Sequence, residues 1–244
     1  MPQFKVQVAV AKVGKYATSE SGDTLEMIER PHGGLSLVLA DGQRSGKAAK
    51  AISNLVVRKA ISLLADGVRD GATARAAHDT LRAMRRGKVS ATLNIVSIDM
   101  QTETIVLSRN SHCPTIVLIG GELQILDEPS EPVGIHAWTK PIINELPIAP
   151  HTYIVVFTDG VLHAGRRGDH QVDVPQLVWE LAAEKHASAQ TLADTILAQA
   201  IASDHGRPGD DISVLVLAVL PAAQDADDVR RMAVDLNIRV KRAN

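Results

Sequence analysis

Residues 35–42 of this chain are Leu-Ser-Leu-Val-Leu-Ala-Asp-Gly, a nearly continuous apolar run that ends in an acidic turn. Such a run predicts a β-strand covered on both faces, because a strand with one solvated face would alternate polar and apolar residues. The strand end differs, since the carboxylate of Asp41 would face solvent while the sheet holds it in place. We therefore expect a central strand that presents Asp41 at the edge of a site.

Other acidic stretches of the same kind lie far from this one in the chain. They are Ser21-Gly22-Asp23, Thr158-Asp159-Gly160 after the apolar run 153–158, and Gly209-Asp210-Asp211 before the apolar run 212–219. One Asp-Gly pair is only a common turn signal, so the evidence for a functional site is that several acidic motifs occur along the chain. Carboxylates brought together at strand ends would repel each other unless divalent cations neutralised them. A hard-metal site is the leading hypothesis.

The order of the predicted elements favours an α+β fold. Strands are predicted at 6–10, 24–28, 35–40, 91–98, 104–108, 115–119, 123–126, 142–146, 153–158 and 212–219, and helices at 45–67, 73–85, 174–184 and 191–203. Strands occur in blocks separated by blocks of helices, which argues against a doubly wound parallel sheet. The connections within 91–126 are too short for crossover helices, so these strands are expected to pair as one antiparallel meander.

Composition excludes several classes of function. The formal net charge is -2 and aromatic residues make up 2%, so neither a basic field nor stacking platforms for nucleic acid are expected. The single cysteine, Cys113, rules out an intramolecular disulfide framework and a cysteine-rich zinc site. No apolar run approaches the roughly 20 residues of a membrane span, and no signal core is visible. We expect a cytoplasmic protein that binds neither nucleic acid nor membrane.

Other catalytic motifs fail on spacing. A phosphate-binding loop at 42–47 would need four residues between Gly42 and Gly46 and a hydroxyl residue at Ala48, and the chain has neither. The histidines form no zinc signature, and only His112, between two strands, is a candidate neighbour of the site. Cys113 beside it is interpreted as a small buried residue rather than a nucleophile.

The serines that border the acidic turns do not fit the pattern of a catalytic nucleophile. Neither Ser21 nor Ser45 lies in a Gly-x-Ser-x-Gly elbow, and no base is placed by spacing. Ser45 is better explained as the N-cap of the following helix.

Taken in order, the acidic motifs resemble the PPM family of metal-dependent, protein phosphatase 2C-like Ser/Thr phosphatases. The similarity is greatest to the bacterial SpoIIE/RsbU/RsbX branch, and most of all to the RsbX-type stressosome phosphatases. Residues 110–114, Asn-Ser-His-Cys-Pro, resemble the Ala-Gly-His-x-Pro turn of that branch, and residues 130–134 resemble its Pro-Leu-Gly segment. The resemblance covers roughly residues 6–219. It implies a sandwich of two mainly antiparallel sheets flanked by helices.

The resemblance also implies the domain layout and the partner. Residues 1–220 would form a single PPM-type phosphatase domain, and 221–244 a C-terminal tail with a short helix at 225–236. The substrate would be a phosphorylated anti-sigma-factor antagonist or stressosome component, dephosphorylated by attack of a metal-activated water. The oligomeric state is left open.

The roles of individual residues follow from the same resemblance. Asp41 would bridge two Mn²⁺ or Mg²⁺ ions with the Gly42 carbonyl on the first, while Asp159 and Asp210 would bind the second. Asp23 would hold coordinated water or help to bind a third ion. Asp41, Asp159 and Asp210 are thus the implied catalytic residues.

The chain departs from the family after its central Asp-Gly pair. Many relatives have a histidine there that can protonate the leaving oxygen, whereas this chain has Gln43, which cannot. A coordinated water or His112 would then serve. Arg44 and Lys47 are candidate contacts for phosphate or a partner, or simply solvated charges at the start of a helix.

Two other functions remain as rivals. A catalytically weak or silent module that keeps the fold and binds a phosphoprotein is favoured by Gln43. A haloacid-dehalogenase phosphatase would need a second aspartate two residues after Asp41, where the chain again has Gln43.

Overall fold

Two antiparallel five-stranded sheets form the middle of the molecule in a computed structural model that describes residues 4–166, 171–184, 186–222 and 229–235. The first sheet has the order β1-β10-β9-β6-β7 and the second β2-β3-β4-β5-β8. The strands are β1 Phe4–Val13, β2 Asp23–Glu29, β3 Leu35–Gly42, β4 Ala91–Asp99, β5 Thr104–Asn110, β6 Thr115–Ile119, β7 Glu122–Leu126, β8 Ile142–Pro147, β9 Thr152–Phe157 and β10 Ile212–Pro221.

Helices cover the outer face of each sheet. They are α1 Gly46–Ala65, α2 Asp70–Arg85, α3 Asp159–His163, α4 Val174–Val178 and α5 Ala189–Ser203, with a 3₁₀ turn at Pro31–Gly33 and a π-helical turn at Trp179–Glu184. Helices α1 and α2 share an apolar cluster with the second sheet, and α3, α4 and α5 share one with the first. A third cluster joins the two sheets. The predicted α-β-β-α sandwich is confirmed.

The strand β10 shows why the long apolar runs are central. Ile212, Val214 and Val216 belong to the cluster under the helices. Leu215 and Leu217 belong to the cluster between the sheets. Because successive side chains point to opposite faces, a strand between two apolar layers needs apolar residues at every position.

One topological prediction is wrong. The segments at 91–126 do not form a single meander, because β4 and β5 pair in the second sheet while β6 and β7 pair in the first. The chain crosses between the sheets at residues 111–114, and β5 takes β8 as its second neighbour. Alternation of polar and apolar residues tells which face of a strand is buried, but not which strand lies beside it.

The predicted C-terminal helix at 225–236 lies partly outside the described residues. The described part of it, 229–235, has no regular secondary structure. Arg230 holds this part against the body by donating to the Glu29 carboxylate and the Gly33 carbonyl, each at 3.1 Å. Among the described residues, no helix has the length and apolar character needed to cross a membrane.

Candidate metal centre

The antiparallel pairing gathers the acidic stretches at one end of the sandwich, called the carboxylate end below. Strands β2, β4, β6 and β10 begin there, and β3, β5 and β9 end there. Asp23 at the start of β2 is the register partner of Asp41 near the end of β3. Asp159 follows β9 and Asp210 precedes β10, and these two strands are paired. All four predicted carboxylates therefore lie at the same end.

Two glycines of the acidic motifs let the backbone close around this end. A Cβ at Gly42 would lie 2.1 Å from the carbonyl oxygen of Ala49 in α1, and a Cβ at Gly160 would lie 2.1 Å from that of Asp211. Any side chain at either position would collide with main chain that cannot easily move. The Asp-Gly pairs thus do more than form turns, because their glycines allow helices α1 and α3 to pack against the strand ends.

Asp23 is buried and partly bound by the protein itself. Its side chain is fully inaccessible, and its Oδ2 accepts hydrogen bonds from Thr158 Oγ1 at 3.0 Å and Ser213 Oγ at 2.6 Å. Its Oδ1 has no partner among the described residues. Burial is the main cause that raises the pKa of Asp23, against the lowering effect of the Ser213 bond. One carboxylate oxygen is therefore fixed, and the other is free to accept a cation.

Asp211 has a different role from its neighbour Asp210. Its two oxygens accept from the backbone amides of Lys15 at 2.8 Å and Gly22 at 2.7 Å, and the residue is 4% exposed. It thereby ties the loop between β1 and β2 to the start of β10. With both oxygens engaged, Asp211 is a structural anchor, and the sequence alone did not separate it from Asp210.

Asp41 is a partly buried carboxylate with other carboxylates close to it. Burial first, and then the nearby carboxylates of Asp23 and Asp159, raise the pKa of Asp41 from 3.8 to about 9. Like charges this close favour protonation unless a cation lies between them. The donor set consists of carboxylate oxygens, the ligands that Mg²⁺ and Mn²⁺ accept, so the residues present fit the ions that the family resemblance implies.

Asp159 and Asp210 form the more open half of the cluster. Their side chains are 21% and 34% exposed, and their ligand atoms lie within 4.8 Å of one another and of a ligand atom of His163. His112 Nε2 and His163 Nδ1 lie 3.8 Å and 3.7 Å from Asp159 Oδ2. The prediction that His112 lies near the site is confirmed. His163 was not among the predicted site residues, although its i,i+4 spacing from Asp159 is a signal that could have indicated it.

Lysines line the inner side of the cluster. Lys12 Nζ and Lys50 Nζ both donate to the backbone carbonyl of Asp23, at 2.5 Å and 2.7 Å. Burial, followed by the charge of Lys50, lowers the pKa of Lys12. Lys15 Nζ lies 3.9 Å from Asp210 Oδ1. These cations offset part of the negative charge while leaving the carboxylate oxygens accessible.

Gln43 pairs with Ser90, directly before β4. It is exposed, its amide donates to the Ser90 carbonyl at 2.9 Å, and its side-chain Oε1 accepts from the Ser90 amide at 3.2 Å. The residue thus extends the pairing of β3 with β4. Arg44 and Lys47 follow it and are also exposed, at the end of the sandwich that carries the cluster.

The remaining candidates have structural roles. Cys113 is buried, as expected, and burial followed by the charge of Asp159 raises the pKa of its thiol to about 12, which keeps it neutral. Ser21 Oγ accepts from the Asp23 amide at 3.2 Å. Ser45 occupies the N-cap position of α1, as predicted, but its side chain makes no capping hydrogen bond.

Comparison with known proteins adds a family and a fold. A family model described as stage II sporulation protein E (SpoIIE) matches residues 31–220. No curated protein matches the chain.

Three solved structures show the likeness in fold. The first contains the PP2C phosphatase domain and a fragment of the regulatory domain of SpoIIE from Bacillus subtilis: its TM-score is 0.77 at 18% identity, over 91% of this chain and 65% of that one. The structure of the RsbU and RsbW domains of Rv1364c from Mycobacterium tuberculosis has a TM-score of 0.70 at 16% identity, and the match covers 89% of this chain and 61% of that one. The catalytic domain of the serine threonine protein phosphatase PstP, in complex with two manganese ions, has a TM-score of 0.66 at 16% identity. That match covers 89% of this chain and 100% of that one. The chain spans about two thirds of the length of the first.

Proposed function

The chain belongs to the SpoIIE family of PP2C-type phosphatase domains, and from that premise we propose that it hydrolyses phosphoserine or phosphothreonine on a bacterial signalling protein. The proposed ligands of two or three Mn²⁺ or Mg²⁺ ions are Asp23, Asp41, Gly42 through its carbonyl, Asp159 and Asp210. The proposed substrate is an anti-sigma-factor antagonist or a stressosome component. The likeness to the RsbX type stays a prediction.

One observation carries the proposal. Asp41 lies near the carboxylates of Asp23, Asp159 and Asp210, and burial first, followed by the charges of these neighbours, raises its pKa to about 9. Divalent ions held by these oxygens would supply an activated water and neutralise charge on the phosphoryl group. The PstP domain, which shares the fold, is described in complex with two manganese ions.

The residues of the chain hold the carboxylates of the cluster in position. Thr158 and Ser213 hold Asp23 Oδ2, so its Oδ1 keeps a fixed direction. The half-exposed Asp159 and Asp210 leave one side of the cluster open to a phosphate group, and Arg44 lies exposed at the same end. A preorganised site of this kind needs little rearrangement when substrate binds.

Hydrolysis of p-nitrophenyl phosphate with and without Mn²⁺ tests the activity. Asp41→Asn keeps the shape of the side chain and removes the charge that would bridge the ions. We expect it to lower kcat/KM by more than about a hundredfold, because the ions provide several kcal/mol of transition-state stabilisation. Asp194→Asn is the matched control, since Asp194 is an exposed aspartate on α5. A folded, metal-loaded protein that cleaves neither this compound nor a phosphoprotein would contradict the proposal.

A protein substrate is supported by the loop between β7 and β8, which lies at the carboxylate end. Val133 and Ala91 exchange backbone hydrogen bonds of 2.9 Å and 3.0 Å, and Asn110 Nδ2 donates to the Glu131 carbonyl at 2.9 Å. This anchored loop presents Trp138 with 91% of its surface exposed. A large aromatic side chain held in the open by a fixed loop is typical of an anchor for a protein partner.

Charge at the same end favours an acidic, phosphorylated partner. Exposed cationic side chains there are Arg44, Lys47, Arg85, Arg86, Lys88 and Lys140. The loop itself also carries the exposed acidic residues Asp127, Glu128 and Glu131, of which Glu131 Oε2 lies 3.2 Å from His136 Nε2. A phosphoprotein that placed its phosphate at Asp41 would approach the end of the sandwich that carries Trp138 and these cations.

Kinetics with two substrates separate docking from chemistry. We expect Trp138→Ala to raise KM for a serine-phosphorylated anti-sigma-factor antagonist by more than about tenfold, since central aromatic anchors contribute about 2 kcal/mol or more. Its kinetics with p-nitrophenyl phosphate should stay unchanged, and Trp179→Ala serves as the control outside the loop. Equal effects on both substrates would show that Trp138 does not act in docking.

Gln43 favours a second candidate, a module that binds a phosphoprotein without turnover. The Gln43 side chain is bound to Ser90 and supplies no proton to a leaving group. Titration calorimetry distinguishes the two functions: binding of the phosphorylated partner without release of phosphate would favour the module.

A further inference from the structure

Helix α3 brings a nitrogen donor to the outer half of the cluster. Asp159 and His163 are its first and last residues, and four residues apart on a helix they lie on the same face. His163 Nδ1 is 3.7 Å from Asp159 Oδ2, and ligand atoms of Asp159, His163 and Asp210 all lie within 4.8 Å of one another. From this geometry we propose that His163 is a ligand of the ion held by Asp159 and Asp210, and that it makes this site prefer transition-metal ions to Mg²⁺.

The distances are close to those of a formed site. Donors at about 2.1 Å from one ion are at most about 4.2 Å apart. The His163–Asp159 pair already meets this limit, and the Asp210 ligand atom lies no more than 4.8 Å from either, so only a small side-chain rotation is needed to reach it. His163 is 35% exposed, so its ring has room to make that rotation.

The chemistry of the donor decides the metal. Mg²⁺ takes oxygen ligands in a strict octahedral arrangement and rarely accepts imidazole. Imidazole binds first-row transition ions with an affinity that rises from Mn²⁺ through Co²⁺ to Zn²⁺. A site with two carboxylates alone would not distinguish these ions strongly, whereas a site with His163 gains affinity for the transition ions and none for Mg²⁺.

His112 provides an internal comparison. Its Nε2 lies 3.8 Å from the same Asp159 oxygen, but it is 55% exposed and no ligand atom of Asp210 joins it in a three-donor group among the described residues. It belongs to the turn between β5 and β6 and not to α3. His112 is thus close to Asp159 only, whereas His163 has ligand atoms of both Asp159 and Asp210 within reach.

The test is metal binding by the purified chain, measured by calorimetry with Co²⁺, Mn²⁺ and Mg²⁺ separately and by the visible absorption of bound Co²⁺. We expect His163→Ala to weaken Co²⁺ binding by at least about tenfold, to weaken Mn²⁺ binding less, and to change Mg²⁺ affinity less than threefold, as for loss of a metal-orienting or metal-binding group. The Co²⁺ spectrum should shift on loss of a nitrogen ligand. His112→Ala should leave all affinities and the spectrum unchanged, and circular dichroism checks the fold of each variant.

This inference rests on the proposed metal-dependent function, and the outcomes separate the two. If the unmodified chain binds Co²⁺ and Mn²⁺ but His163→Ala binds them equally well, the role of His163 is wrong and the phosphatase proposal stands. An equal loss of Co²⁺ and Mg²⁺ affinity would overturn the nitrogen-donor role as well. If the unmodified chain binds no divalent ion, both proposals fail.

Discussion

The inner and outer halves of the carboxylate cluster are built from the same residue type and behave differently. Asp23 and Asp211, the inner half, are 0% and 4% exposed and accept hydrogen bonds from hydroxyls and backbone amides. Asp159 and Asp210, the outer half, are 21% and 34% exposed and lie opposite histidine and lysine side chains at 3.7 Å to 3.9 Å. Asp211 has both oxygens engaged by backbone amides and stabilises the fold, whereas a carboxylate that keeps an oxygen free of close donors is available to a cation. We therefore assign stability to Asp211, and ion binding to the outer half together with the unpartnered Oδ1 of Asp23.

Substitutions at the adjacent residues Asp210 and Asp211 should have the largest effects, one on stability and the other on Mn²⁺ binding. Asp211→Asn replaces one acceptor oxygen by an amide that faces the backbone N–H of Gly22 or Lys15. We expect the free energy of unfolding to fall by about 2–3 kcal/mol, the range for a lost hydrogen bond to a charged group. Asp210→Asn keeps an oxygen that can accept from the Asp211 amide, as Asp210 Oδ1 does at 2.9 Å, so it should change stability by less than about 1 kcal/mol and remove most Mn²⁺ affinity.

Urea denaturation and Mn²⁺ calorimetry on both variants make this measurement. The division into halves would be wrong if Asp211→Asn were as stable as the unmodified chain, or if Asp210→Asn bound Mn²⁺ normally.

The pH dependence of stability tests the protonation of Asp41, whose carboxylate is influenced by both halves of the cluster. Burial and neighbouring carboxylates raise the pKa of Asp41 from 3.8 to about 9, so the folded state holds a proton that the unfolded state releases. Its contribution to stability is then greatest below about pH 4 and is lost as the pH rises toward about 9. We expect the metal-free protein to lose stability between pH 6 and pH 8.5, and added Mn²⁺ to stabilise it more at the higher pH.

Denaturant unfolding in a chelator, at both pH values, checks this prediction. Asp41→Asn should flatten the pH dependence, whereas Asp194→Asn should not change it. A pH dependence that survived in Asp41→Asn would assign the effect to other groups.

The smallest effect is expected at Gln43, which belongs to neither half. Its side chain bonds the Ser90 amide at 3.2 Å in an exposed position. Gln43→Ala should therefore lower the unfolding free energy by about 0.5–1.5 kcal/mol, and change phosphatase kcat less than threefold. A large loss of kcat at constant stability would instead give Gln43 a direct part in the reaction.

The sequence predicted the elements that pack in the middle of the fold. The apolar runs at 35–40, 153–158 and 212–219 correspond to β3, β9 and β10, because buried strands leave a local signal at every position. The convergence of Asp23, Asp41, Asp159 and Asp210 at one end was also predicted. Their role as metal ligands stays a proposal.

Long-range features were not predictable from local pattern. Asp211 is defined by bonds to the amides of Lys15 and Gly22, which are 196 and 189 residues away. Nothing in Gly-Asp-Asp tells which aspartate turns inward. His163 was missed because α3 is a five-residue helix, too short to show an apolar period.

An anomalous-scattering map of crystals grown with Mn²⁺ would show directly whether the carboxylate end binds metal ions and through which residues. We predict one peak within ligand distance of Asp41, Asp159 and Asp210, and a second that Asp41 shares with the Gly42 carbonyl. No peak should lie against Asp211. A map with no peak at the carboxylate end, or with manganese bound by Asp211, would contradict the account.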